Sequence, residues 1–147
     1  MKIVPTASAS RFSGNYTSKA WLLRGLTQSL PGVLALRHDQ LTFTATGFGT
    51  LWMRDLRRLE QRAGMPGLAE RLNRGEATVV FQWSATELQA VRFPWYYFGG
   101  GLQLQGPDQS YRISFIRPGN TRLHYFVNPF REIAQARHIG RRWRALL

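Results

Sequence analysis

The sequence predicts a mainly β (α+β) domain of seven antiparallel strands, with a helical insertion after the third strand and an amphipathic helix at the C-terminus. Three observations carry this. Apolar residues alternate at period two before residue 47 and again from Thr78, the pattern of half-buried strands. Between those stretches, residues 50–75 change to helical spacing broken by glycine. From about Pro129 onward, apolar residues recur every three or four positions to the last residue.

Residues 1–18 read as a flexible polar lead-in. MKIVPTASASRFSGN has one Lys and a two-residue apolar run before Pro5, too short for the apolar core of a signal peptide. Residues 19–147 read as one domain. Trp21–Gln28 (WLLRGLTQ) is apolar-rich, and Leu30-Pro31-Gly32 reads as the turn after it. In VLALRHD, Val33, Ala35 and Arg37 alternate with Leu34, Leu36 and His38. In LTFTAT, Leu41, Phe43 and Ala45 alternate with threonines. The break at His38-Asp39-Gln40 makes these two runs a hairpin.

Thr50 reads as the cap of a helix whose inward stripe is Trp52, Leu56, Leu59 and Ala63, ended by Gly64. Its outer face carries Arg54, Arg57, Arg58 and Arg62. Pro66 opens a second short helix with Leu68 and Leu72 inward, ended by Gly75. TVVFQW then groups Val79, Phe81 and Trp83 on one face. ELQAVRFPWYYF is a longer extended run interrupted at Pro94, which suits an edge or a bulge. Leu102 and Leu104 alternate with glutamines, and YRISFIR aligns Tyr111, Ile113 and Phe115.

FPWYYFGGG (93–101) gathers five rings ahead of three glycines. The glycines permit positive φ or a bulge where the strand bends into its neighbour. Most of these rings read as structural; one or two left outward beside Arg92, Tyr96 among them, suit an interface. In the closing helix the stripe is Phe130, Ile133, Ala136, Ile139, Trp143 and Leu147, with Asn128 as cap. Arg131, Arg137, Arg141, Arg142 and Arg144 lie mostly off that stripe.

Several of these segments resemble bacterial pleckstrin-homology-like (PH-like) and GRAM-type domains. Gly32-Val-Leu34-Ala-Leu36 followed by Leu41-Thr-Phe43 is similar to their second and third strands, which run G-x-L-x-L, a turn, then L-x-F. Glu87-Leu88 before Val91 is similar to the segment leading into a later strand. Trp143 resembles the tryptophan with which the closing helix plugs the barrel. The resemblance covers roughly Trp21–Thr46 and Thr78–Leu147. It implies a PH-like seven-stranded barrel and a binding role. It also implies a phosphoinositide site with several basic residues around the first two strands. Here the segment QSLPG has none, and only Lys19, Arg24 and Arg37 flank it.

The charge sets the class of partner. Of 147 residues, 20 are basic and 8 acidic, a net charge of +12. Eighteen of the basic residues are Arg, whose planar fork pairs with carboxylate or phosphate. Expected partners are an acidic protein surface first, anionic membrane lipid second, and nucleic acid third, through Arg and stacking rings such as Tyr96. Candidate contact residues are Lys19, Arg24, Arg37, Arg54, Arg57, Arg58, Arg62, Arg92, Tyr96, Arg141 and Arg142. A solvated positive surface is the alternative reading of this charge; a genome that favours Arg codons accounts for Arg over Lys but not for the deficit of Asp and Glu.

Catalytic chemistry finds little footing. No cysteine is present, which removes thiolate nucleophiles, disulfides and Cys-based zinc sites. His38, His124 and His138 share no metal-ligand spacing, and the carboxylates are scattered. Gly47-Phe48-Gly49 lacks the third glycine and the βαβ setting of a dinucleotide loop. The expectation is therefore a non-enzymatic binding module without cofactor, metal or small-molecule substrate. Its expected location is the cytoplasm, with peripheral membrane contact as the variant.

Overall fold

The computed structural model describes residues 12, 14–24, 28–94, 99–107, 109–118 and 129–147. Among the described residues there are seven strands: β1 Tyr16–Arg24, β2 Gln28–Arg37, β3 Gln40–Ala45, β4 Thr78–Ser84, β5 Ala90–Arg92, β6 Gly101–Gln105 and β7 Ser110–Ser114. Helices α1 (Met53–Ala63) and α2 (Leu68–Asn73) follow β3, and α3 (Pro129–Leu146) closes the chain. The strands form one antiparallel sheet in the order β4-β3-β2-β1-β7-β6-β5, curled into a half-barrel. This is the mainly β plan with helical insertion and terminal helix that the sequence predicts.

Alternation places the core. Leu22, Leu34, Leu36, Leu41, Phe43, Leu102, Leu104 and Ile113 are all fully buried. They meet across the ladders as Leu34↔Phe43, Leu36↔Leu41, Leu22↔Ile113 and Leu102↔Ile113. Each such aliphatic side chain contributes about 1.5–3 kcal/mol by leaving water. Inside the curl, Phe81 stacks on Trp83 (4.3 Å between centroids) and on Tyr111 (5.0 Å), with Phe43 behind it at 6.0 Å. His38 and Asp39 form the two-residue hairpin between β2 and β3, both at positive φ (52° and 60°), as the right-handed twist of the flanking strands requires.

Four local expectations are corrected. Leu30-Pro31-Gly32 is not a turn but lies inside β2, opposite Leu22, Trp21 and Ala20. Pro31 is tolerated because its carbonyl accepts from Thr46 N–H at 2.9 Å. Its nitrogen points to that same side at the end of β3, so only the reciprocal bond to the Thr46 carbonyl is forgone. The sheet also begins at Tyr16, inside the expected lead-in, and Phe12 is buried. β4 carries a bulge, because Phe43 pairs with Phe81 and Thr44 with Val79, leaving Val80 as the extra residue. Val80 therefore turns inward and Val79 is only half-buried.

The fourth concerns the start of α1. Thr50 does not cap it; its Oγ1 accepts from Ser29 N–H at 2.9 Å and ties the preceding loop to β2. The capping acceptor is Asp55, which takes the Trp52 N–H at 3.3 Å. Trp52 itself is 72% exposed rather than inward, because it stands one residue before the helix and outside its buried stripe. Leu56 and Leu59 do face the core. Gly64, in the left-handed region, ends α1, and Leu68 and Leu72 of α2 are fully buried.

Helix α3 seals one end of the half-barrel. Trp143 is fully buried and its Nε1–H donates to Ser18 Oγ at 2.9 Å. Its indole lies parallel to Phe115 and meets the Tyr16 ring edge-on at 5.1 Å. Gly140 faces Gly99, so close that a Cβ on Gly140 would overlap the Gly99 carbonyl oxygen. Gly99 adopts φ 78°, the positive φ expected of the GGG run. Trp95–Phe98, Asn128 and the connector 121–127 lie outside the described residues.

Candidate functional site

The opposite end of the half-barrel is open, and strand register explains why. The β1–β7 ladder stops at Leu23↔Arg112, whereas β6–β7 continues to Gln105↔Ser110. Beyond Leu23 the two strands part. Helix α1 roofs the gap, held by Gln28 Nε2 donating to Asp55 Oδ2 at 2.8 Å and by Arg62 Nε donating to Gln109 Oε1 at 3.0 Å. Beneath it opens a cleft of about 720 Å³.

Five arginines line this cleft: Arg24 from β1, Arg58 and Arg62 from α1, Arg92 from β5 and Arg112 from β7. Alternation puts Arg24 and Tyr111 on the inner face of the sheet. Arg112, Gln103 and Arg92 form a cross-strand row on the outer face. Both sets reach one cleft because it passes through the split in the sheet. Asp55 is the one carboxylate among the described residues that line it.

The electrostatics follow from that imbalance. Burial, and then repulsion from Arg62, hold the Arg24 guanidinium below its ordinary pKa, with Asp55 pulling the other way. The Gln28 hydrogen bond lowers the Asp55 carboxyl below the usual carboxylate range, helped by the Trp52 N–H and by Arg54 and Arg58; burial opposes this. Burial pushes the Tyr111 hydroxyl up, against the pull of Arg62 and Arg24, so it stays protonated at neutral pH and can donate. Among the described residues, the side chains of Arg24, Arg58 and Arg92 hold no hydrogen bond or ion pair. Among the described residues, positive charge thus outnumbers the anions on a concave surface, an arrangement suited to carboxylate or phosphate oxygens.

Of the residues singled out from sequence, Arg24, Arg58, Arg62 and Arg92 converge here. Arg57 lies elsewhere, in a shallow hollow with Glu60 and Glu70 that offsets its charge. Arg54 is exposed, 3.8 Å from Asp55. Lys19 is exposed on the outer face of β1, and Arg37 reaches Thr17 Oγ1 at 3.5 Å. Arg142 stacks over the Tyr16 ring at 5.3 Å, and Arg141 is exposed. Tyr96 is outside the described residues. Sequence reasoning missed Arg112, Gln28 and the hydroxyl of Tyr111. Arg112 had a signal: it is the off-stripe basic residue of YRISFIR, the strand whose inward face was read correctly.

A second feature adjoins the cleft. Phe48 (46% exposed) and Trp52 (72%) flank a groove floored by Pro31, at the same end of α1. Among the described residues no group of three His, Asp or Glu gathers as metal ligands, and no helix is long and apolar enough to cross a membrane. No family model matches the chain, and no curated protein matches its sequence.

Proposed function

We propose that this protein is a non-enzymatic PH/GRAM-like binding module, an adaptor or accessory subunit of the cytoplasm that recognises an acidic protein surface through the arginine cleft. The observation that carries this is the convergence of five arginines from four separate elements around one cleft, with a single carboxylate among its described lining residues. Carboxylates entering it would form charge-assisted hydrogen bonds, each contributing about 1.5–3 kcal/mol. Retention on immobilised polyglutamate, measured against salt, tests the proposal. Binding should weaken as salt rises, and Arg58→Glu or Arg92→Glu should remove it while Arg57→Glu leaves it nearly intact. Equal loss in all three would reduce the cleft to diffuse surface charge.

A second reading has its own support. Trp52 and Phe48 protrude beside Arg54, which suits shallow insertion into an anionic bilayer surface. Co-sedimentation with phosphatidylserine vesicles separates the two. Strong sedimentation abolished by Trp52→Ala and Phe48→Ala, with polyglutamate binding absent, would favour lipid.

A further inference from the structure

Tyr111 is only 5% exposed, and its Oη has no hydrogen-bond partner among the described residues. Buried hydroxyls are nearly always paired, so an unpaired one is a cost that the fold carries for a reason. The ring cannot swing away to find water. It is stacked on Phe81 at 5.0 Å and lies beside Trp83 at 5.6 Å. The same residue lines the cleft, within electrostatic reach of Arg24 and Arg62. A fixed neutral donor therefore sits among guanidinium groups that repel one another.

We infer that Tyr111 Oη, Arg24 and Arg62 form a seat for one carboxylate group of an acidic side chain presented by the partner protein. This rests on the acidic-partner reading and deepens it, since the anion enters the cleft rather than resting on its rim. The carboxylate oxygen accepts from the phenol and from the guanidinium groups. It also relieves the repulsion between Arg24 and its neighbours Arg58 and Arg62. One feature favours a carboxylate carried by a protein over a free phosphate. One wall is the edge strand β5, with Ala90 and Arg92, along which an extended peptide backbone can lie.

The test uses an octaglutamate peptide and isothermal titration calorimetry. Tyr111→Phe keeps the ring stacking and deletes only the hydroxyl. It should lower peptide affinity about tenfold or more while leaving the melting temperature unchanged or higher, because the unpaired group is gone. Arg62→Gln, at an exposed position, should give a similar fall without touching the core. Unaltered affinity in Tyr111→Phe would overturn the seat; if Arg92→Glu still abolished binding, the acidic-partner reading would survive alone. Absence of octaglutamate binding by the unaltered protein would overturn both. Tyr111-dependent binding of inorganic phosphate or of phosphatidylserine vesicles, in place of the peptide, would overturn the choice of carboxylate.

Discussion

The two ends of the half-barrel solve the same problem in opposite ways. At the α3 end, Trp143 fills the opening and satisfies its one polar atom on Ser18, and glycine meets glycine so that the helix lies close on the chain below. At the α1 end the sheet splits, arginines crowd the gap, and the Tyr111 hydroxyl has no partner among the described residues. One end is arranged for stability. The other keeps unspent hydrogen-bonding capacity and like charges in proximity, which costs stability and is most simply understood as readiness for a ligand.

Substitutions at the sealed end should therefore act on stability, and those at the open end on binding. The largest effect is expected from Trp143→Ala, which should cost about 3–5 kcal/mol. At roughly 2–4 °C per kcal/mol for a chain of this size, thermal denaturation should show a fall on the order of ten degrees. Gly140→Ala should destabilise by about 1–3 kcal/mol through overlap with Gly99, despite the higher helix propensity of alanine. A neutral or stabilising result would mean that α3 can lift off the sheet without penalty. The Arg58→Glu, Arg92→Glu double variant should behave inversely, losing more than tenfold in polyglutamate affinity while unfolding within about 0.5 kcal/mol of the unaltered protein.

Acid titration sharpens the contrast further. Asp55 has a lowered folded-state pKa, so its contribution is present above the unfolded value of about 4 and is lost as pH falls through the folded value. Asp55→Asn should be less stable than the unaltered protein near neutrality, and the gap should close below about pH 4; a gap constant with pH would show that the charge contributes nothing. The smallest effect belongs to Trp52→Ala. Because the side chain is 72% exposed, stability should change by less than about 0.5 kcal/mol, and a larger loss would mean that the ring is part of the core.

The architecture was legible because period-two and period-3.6 patterns report which face is buried, and burial dominates the energy. Trp143 on the buried stripe of the closing helix and the Tyr111–Ile113–Phe115 stripe came from that signal, whereas the role of Trp143 as plug came from the family resemblance and the hairpin from the break at His38-Asp39-Gln40. Pro31 misled because proline marks turns far more often than strand interiors, and its place at the end of β3 limits the loss to one bond with Thr46. Val80 misled because a bulge shifts alternation by one residue without any local mark. The site was harder. Four of its arginines stood out as basic, but so did others that proved to lie apart, because charge in a sequence does not say where the sheet will split. Tyr111 was recognised as core. That its hydroxyl lacks a partner among the described residues depends on what the neighbouring strands fail to supply.

The irregularity at Val80 has a consequence for how the molecule behaves in company. β4 is a terminal strand of the sheet, and a regular, flat terminal strand invites copies of itself to stack alongside. A bulge there coils the strand and breaks the spacing of its outward amide and carbonyl groups. The margin is thereby a poor template for fibrillar self-association.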